Sequence, residues 1–189
     1  PTNAGTYRVK ATGAKTTNYT SATTNCIAHT INKKAVTYKA DDASKVYDGS
    51  ALTKKTATLK AGSLVSGHSA TFTIEGTITN VGTATNTLKA VTIKNSSGTD
   101  VTANYEITMQ NGTLTITNSQ ATINLEDKTA TYTGSAISAN TATANSGGTI
   151  TYTYYSGASC SGTALSGAPT NAGTYSVKAT VEATTNYAS

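Results

Sequence analysis

Few side chains in this sequence are equipped for chemistry, so their spacing decides whether any can act together. The thiols are Cys26 and Cys160 and the histidines are His29 and His68. A zinc site needs closely spaced N and S ligands, and two histidines about forty residues apart, with no Cys or carboxylate pattern around them, do not supply one. Asp41-Asp42 suggests calcium, but a calcium loop alternates its oxygen ligands, and the 9 acidic residues are too few, so a loop between strands is the plainer account. Lys39, Asn111 and Glu75 suggest another reaction. A Lys amine can attack an Asn carboxamide, expelling ammonia beside an acid that carries the proton, and so tie two strands by an isopeptide bond; all three groups must be desolvated together. Tyr152, Tyr154 and Tyr155 are the dense aromatic cluster. In a concave groove Tyr155 would contact a glycan, whereas alternation assigns Tyr152 and Tyr154 to a core. No histidine has a plausible nucleophile partner and no carboxylate pair stands out, so the sequence points away from an enzyme, and no cofactor or metal is expected.

The elements that position these groups are repeated. PTNAGTYRVKATGAKTTNYTS at residues 1–21 returns as PTNAGTYSVKATVEATTNYAS at residues 169–189, identical at 16 of 21 positions and offset by 168 residues. Tyr47-Asp48-Gly49-Ser50-Ala51-Leu52 also resembles Tyr132-Thr133-Gly134-Ser135-Ala136-Ile137, and each opens a unit. Asn80-Val81-Gly82-Thr83 with Asn104-Tyr105 resembles Asn171-Ala172-Gly173-Thr174 with Asn186-Tyr187, and the same residues stand at Asn3 to Thr6 and Asn18-Tyr19. The period therefore divides into two related units of about 84 residues, large enough for small independent cores. The organisation expected is residues 1–32 as the closing strands of a preceding YTG module, 33–117 as a YDG module, and 118–189 as a YTG module lacking its last strand. Tandem units suit a fibre or stalk, because each copy adds length.

The repeat also sets the expectation for the thiols. The offset gives Cys26 an equivalent just beyond Ser189, so within one YTG module Cys160 would pair with that next-copy cysteine, and Cys26 with one preceding Pro1. Closing such a loop of about 35 residues would stabilise the module by about 3–4 kcal/mol in the chain-entropy model. The alternative is two free buried thiols, and the bond could form within or between chains.

Composition favours a folded all-β chain. Hydrophobic residues make up 37% and charged residues 12%, with 11 Tyr, no Trp and 2 Pro, which is too little proline for a disordered mucin-like stalk. The net charge of +5 comes from lysines scattered on solvated faces, without the clustered arginines and interleaved aromatics of a nucleic-acid surface. No apolar run reaches 18 residues, so no membrane insertion is expected within this segment. Thr alternates with Val, Ile, Leu and Tyr at period two. Tyr7 and Val9, Phe72 and Ile74, Val91 and Ile93, Tyr105, Ile107 and Met109, Leu114 and Ile116, and Ile150, Tyr152 and Tyr154 mark inward faces. Turn signals fall between them, with Asn111-Gly112 the best hairpin turn because both residues tolerate positive φ. The fold class expected is tandem small antiparallel β-sandwich, Ig-like modules, with β-grasp-like sheets as the alternative. Tyr19, Tyr105 and Tyr187, each after an Asn, are candidates for a phenol that bonds back to the backbone, or for plain core aromatics.

Lys45-Val46-Tyr47-Asp48-Gly49, with Val101-Thr102-Ala103-Asn104-Tyr105 and Asn111-Gly112-Thr113-Leu114-Thr115-Ile116, resembles the YDG-type repeat of bacterial surface proteins. Tyr132-Thr133-Gly134 and Ala168-Pro169-Thr170-Asn171-Ala172-Gly173-Thr174-Tyr175-Ser176-Val177 are similar to the MBG or bacterial Ig-like repeats of large adhesins. The resemblance implies an extracellular protein, secreted or on the bacterial cell surface, with many tandem copies and no catalytic residues. The function expected is a structural or adhesive repeat segment, a stalk or filament subunit that can associate head to tail by strand complementation; the alternative is a carbohydrate-binding module. The partners expected are adjacent copies of itself, with host or matrix glycans or proteins engaged through other domains, and no nucleic acid.

Overall fold

The computed structural model describes residues 1–189. It is all-β, and its one helical turn is the 3₁₀ segment Thr102–Asn104. In chain order the strands are β1 (Gly5–Val9), β2 (Thr12–Gly13), β3 (Ala22–Thr23), β4 (Ile27–Ile31), β5 (Lys34–Ala40), β6 (Ala43–Val46), β7 (Ala57–Gly62), β8 (Ser69–Glu75) and β9 (Gly82–Lys94). They continue as β10 (Tyr105–Gln110), β11 (Gly112–Thr117), β12 (Ser119–Gln120), β13 (Ile123–Asn124), β14 (Thr143–Ala144), β15 (Ile150–Ser156), β16 (Tyr175–Val181) and β17 (Tyr187–Ala188). Two compact units result: Pro1–Ala43 with Thr53–Thr77 and Ala84–Leu114, and Ser44–Leu52 with Ile78–Thr83 and Thr115–Ser189.

In the first unit, period-two patterning builds a two-sheet core. β5 turns Val36, Tyr38 and Ala40 inward, and they meet Ile74 of β8, Leu88, Val91 and Ile93 of β9, and Tyr105 of β10. Tyr38 and Phe72 stack at a tilt, with ring centroids 5.1 Å apart. Leu88 and Val91 lie three residues apart, which strict alternation would put on opposite faces. A β-bulge resolves this: Thr73 faces Ala90 while Ile74 faces Leu88, so Lys89 is the extra residue and the inward parity flips there. One sheet has the order β10-β5-β7, and the other β6-β11-β9-β8.

One expectation about pairing is corrected. Asn111-Gly112 is not a hairpin turn, because β10 pairs parallel with β5, Tyr105 opposite Lys34, while β11 belongs to the other sheet. The chain crosses between sheets at this dipeptide, and Gly112 does not take positive φ. Its glycine answers to close approach instead: a Cβ there would run into the carbonyl oxygen of Ala40 and stand 2.7 Å from that of Asp41. The pairs β1–β4, β8–β9 and β15–β16 are antiparallel, as a sandwich-like fold requires, while β12 pairs parallel with β17 as β10 does with β5.

In the second unit β15 and β16 form an antiparallel pair, Tyr154 opposite Val177, over a smaller core of Ala142, Tyr154 and Val181. The phenol oxygens of Tyr152 and Tyr154 accept hydrogen bonds from the backbone N–H of Ala142 (2.7 Å) and Ala139 (3.1 Å), which ties an otherwise irregular segment to the sheet.

Candidate functional site

None of the constellations read from the sequence is assembled for chemistry. Lys39 pairs with Asp42 at 2.6 Å, Glu75 lies exposed 3.5 Å from Lys89, and the Asn111 carboxamide oxygen accepts the Leu88 N–H at 3.1 Å. The three groups named for an isopeptide bond are thus each engaged with other partners, and the Asn111 amide holds the crossing between sheets. Cys26 and Cys160 are free and exposed, so no disulfide forms within the chain and neither thiol is buried. Their expected partners lie in neighbouring copies. His29 is exposed on β4, opposite Tyr7. His68 closes its turn by a 2.7 Å hydrogen bond between Nδ1 and the Tyr105 hydroxyl, which also accepts the Val65 N–H at 3.0 Å. Asp41 accepts from the Thr56 and Thr58 hydroxyls and Asp42 from Lys39 and the Thr113 N–H, so both carboxylates fasten strands. Those hydrogen bonds hold both carboxyls below the usual range. Tyr155 is half-buried on the face of β15 opposite Tyr152 and Tyr154, while the openly exposed tyrosines are Tyr19 and Tyr132.

Of the candidate tyrosines, Tyr105 bonds to the backbone of a loop, through the Val65 N–H, and Tyr19 and Tyr187 do not; two further phenols, Tyr7 and Tyr175, bond back at their strand entries. Each donates to the carbonyl of the Asn four residues earlier, Asn3 at 2.8 Å and Asn171 at 3.1 Å. The repeat thus reproduces one strand entry twice, with Tyr7 and Tyr175 related by the offset of 168.

What the structure brings together is the closing motifs of successive modules. In the first unit the Ala4 N–H donates to Asn104 Oδ1 (2.7 Å), and Asn104 Nδ2 donates to Asn3 Oδ1 (3.0 Å). In the second unit the Val81 N–H donates to Asn186 Oδ1 (2.9 Å), and Asn186 Nδ2 donates to Asn80 Oδ1 (3.2 Å). These are the same two bonds. An Asn-x-Gly-Thr loop offers a backbone donor and a carboxamide acceptor, and the Asn of an Asn-Tyr pair satisfies both with one amide. Repetition of the motifs was legible in the sequence; that they are the two halves of one contact was not, because pairs about a hundred residues apart leave no local signal.

The Tyr-x-Gly turns sit in the second unit. Asp48 accepts from Lys45 Nζ (2.6 Å), the Ser50 N–H (2.9 Å) and the Ser50 hydroxyl (2.8 Å), around Gly49 at φ 79°. The Lys45 and Ser50 bonds hold the Asp48 carboxyl far below the ordinary carboxylate range. Tyr47 then packs edge-on against Tyr187, with centroids 5.4 Å apart. The counterpart Tyr132-Thr133-Gly134 keeps the turn, with Gly134 at φ 78°, but Thr133 makes only one long bond to the Ser135 N–H (3.4 Å) and Tyr132 has no aromatic neighbour.

Beside it runs a groove of about 820 Å³, lined by residues that include Ile123, Leu125, Tyr132, Ile137 and Tyr154. β16 has β15 along one edge and no strand along the other. At the related positions β9 lies between β8 and β11, and β1 carries β4 with Tyr7 opposite His29.

Comparison with known proteins gives one match. Residues 121–189 match the model of the MBG domain, a domain type found in bacterial surface proteins. Searches of curated proteins and of solved structures find no match. The matched stretch is the one that carries Tyr132-Thr133-Gly134, the groove and the open edge of β16. No helix is long and apolar enough to cross a membrane.

Proposed function

We propose that this chain is a structural repeat segment of a long extracellular bacterial surface protein, in which tandem β-modules act as a stalk or filament subunit. The observation that carries the reading is the recurrence of one two-bond contact, at Asn3-Ala4 with Asn104 and at Asn80-Val81 with Asn186, between motifs that close one module and motifs of the next. A contact rebuilt at each step is what a periodic spacer requires and what a single catalytic centre does not. Supporting it, side chains offered by the sequence as chemistry hold strands and turns: Lys39 to Asp42, Asn111 to Leu88, His68 to Tyr105. The reading is accordingly non-enzymatic. The MBG match adds the class of parent protein, and adhesion then belongs to domains elsewhere in it.

Head-to-tail strand complementation is the finer part of the proposal. A β4-type strand laid along the open edge of β16 in the β1–β4 register would put its His29 opposite Tyr175, since Tyr175 stands where Tyr7 does. Its apolar residues would cover the groove beside Tyr154. Electron microscopy tests both parts. Chains with one, two and three periods should give particles whose length grows by a constant step, and particles that do not lengthen would sink the stalk reading. Fibres assembled from the single-period chain, with an axial repeat, are the result expected from complementation; separate particles at all concentrations would remove it and leave the stalk.

A further inference from the structure

The chain holds three Asn-x-Gly-Thr loops, at Asn3, Asn80 and Asn171, and three Asn-Tyr pairs, at Asn18, Asn104 and Asn186. Two of each are joined. Asn104 closes on the first loop and Asn186 on the second, in each case the Asn-Tyr pair of the module that follows the loop. The third loop is unengaged, and it differs from the other two in two ways that track engagement. Ala4 and Val81 are half-buried, whereas Ala172 at the matching position is exposed. β1 and β9 begin at the glycine of their loops, Gly5 and Gly82, whereas β16 begins two residues after Gly173, at Tyr175. On the other side of the contact Asn104 and Asn186 are half-buried and Asn18 is exposed. Both free halves therefore present polar groups that their counterparts satisfy.

We propose that the Asn171–Thr174 loop is a docking site for the Asn-Tyr strand entry of a further YDG module, supplied by the next copy of the repeat. The alternation fixes the type of partner. The loop of Asn3, which belongs to YTG sequence, takes Asn104 of YDG sequence, and the loop of Asn80, of YDG sequence, takes Asn186 of YTG sequence; Asn171 is the 168-residue equivalent of Asn3, so its partner is an equivalent of Asn104. One carboxamide supplies both an acceptor for the Ala172 N–H and a donor for Asn171 Oδ1. An Asp in the same place supplies only the acceptor, and an Ala neither. Docking draws Gly173 and Thr174 into β16, as Gly5 and Gly82 are drawn into β1 and β9, and so extends the strand whose far edge is open. The inference rests on the tandem-module reading above and specifies the contact by which it propagates.

The test is a chain extended after Ser189 by residues 22–117, which continues the period because residues 169–189 already repeat residues 1–21. Amide hydrogen exchange is followed by NMR at Ala172, with Ala4 and Val81 as internal references for engaged loops. Exchange at Ala172 is expected to slow by about tenfold or more relative to the 189-residue chain, as a surface amide does on entering a local structure that must open to exchange. Asn104→Ala in the added copy should return Ala172 to its fast rate while Ala4 and Val81 keep theirs, and Asn104→Asp in the added copy should keep Ala172 slow. Equal exchange at Ala172 in the extended and original chains overturns the proposal, even if the extended chain lengthens in micrographs, the measurement on which the stalk reading depends. Slow exchange that survives Asn104→Ala also overturns it, because another group would then be covering the amide.

Discussion

Residues 33–117 and residues 118–189 open on the same turn and are closed to different degrees. In the first stretch the chain returns as β11 between β6 and β9, and ten apolar residues from Val36 to Ile116 are buried. In the second, β16 has one neighbouring strand, Tyr132 stands exposed where Tyr47 is packed, and only Ala142, Tyr154 and Val181 are buried. Related sequences thus give a dense core where β9 is flanked on both edges and a groove where β16 has one neighbour. A strand added at the end of such a module contributes more than its own hydrogen bonds, because it converts the half-covered faces of earlier strands into interior.

Packing is where this difference should be largest. Ile93 is fully buried in the first unit, and Ile93→Ala should cost about 2–5 kcal/mol through lost transfer energy and a residual cavity. Val181, 5% exposed in the second, should cost about 1–2 kcal/mol on truncation to Ala. Denaturant titration followed separately in the two units measures both. A Val181→Ala cost equal to that of Ile93→Ala would mean that the groove side is packed as tightly as the closed module, and the comparison would fail.

The crossing between sheets comes next. Gly112→Ala places a Cβ against two backbone oxygens, those of Ala40 and Asp41, which cannot rotate away as a side chain could, so the strands must shift. Overpacking of this kind costs about 1–3 kcal/mol. A hairpin at Asn111-Gly112 would tolerate the change far better, and a neutral Gly112→Ala by thermal melt would restore that topology.

Asn86 has no counterpart among the residues the sequence suggested. It is fully buried, its Nδ2 donating to the backbone oxygens of Asp41 and Lys54 at 2.9 Å each, while its Oδ1 has no partner. Asn86→Ala removes the donor of both bonds and should cost about 1–3 kcal/mol, and Asn86→Leu no less, because leucine restores neither. Thermal unfolding of both variants checks this; a gain from Leu would show that the bend at Asp41 is held by something else.

The sequence carried the strand class and much of the inward face, because period-two alternation is local: Phe72, Ile74, Val91, Ile93, Leu114 and the Tyr152–Tyr154 pair all fall as the pattern says. It missed what depends on a partner strand. Leu88 escaped because the bulge at Lys89 breaks the alternation, and that bulge is defined only by the register against β8. The Asn111-Gly112 dipeptide has hairpin chemistry in isolation, yet the strand after it is taken by another sheet. The module-end contact was half legible. The recurring Asn-x-Gly-Thr and Asn-Tyr motifs marked it, but only coordinates show that one receives the other.

The smallest effect separates the two turns themselves. Lys45 and Ser50 stabilise ionised Asp48, whereas Thr133 in the matching turn has no charge to lose. A carboxyl whose pKa is depressed on folding contributes stability that is complete above its unfolded value, about 3.9 for Asp, and drains away as pH falls through the folded value. Asp41, Asp42 and Asp100 are held low by the hydroxyl, Lys and backbone groups around them and act in the same sense, so acid should weaken residues 33–117 progressively below about pH 4. Asp48→Thr, which turns Tyr-Asp-Gly into Tyr-Thr-Gly, should remove only part of that acid limb, and it does so by lowering stability near pH 7 by the same amount, which is small because the carboxylate is exposed and screened by solvent. Urea midpoints from pH 7 to pH 2 for the parent and variant chains measure it. Coincident curves would show that the aspartate merely shapes the turn, as the threonine does, and a loss that persists undiminished at pH 2 would show that the substitution acts through the packing of Tyr47 against Tyr187 and not through the charge.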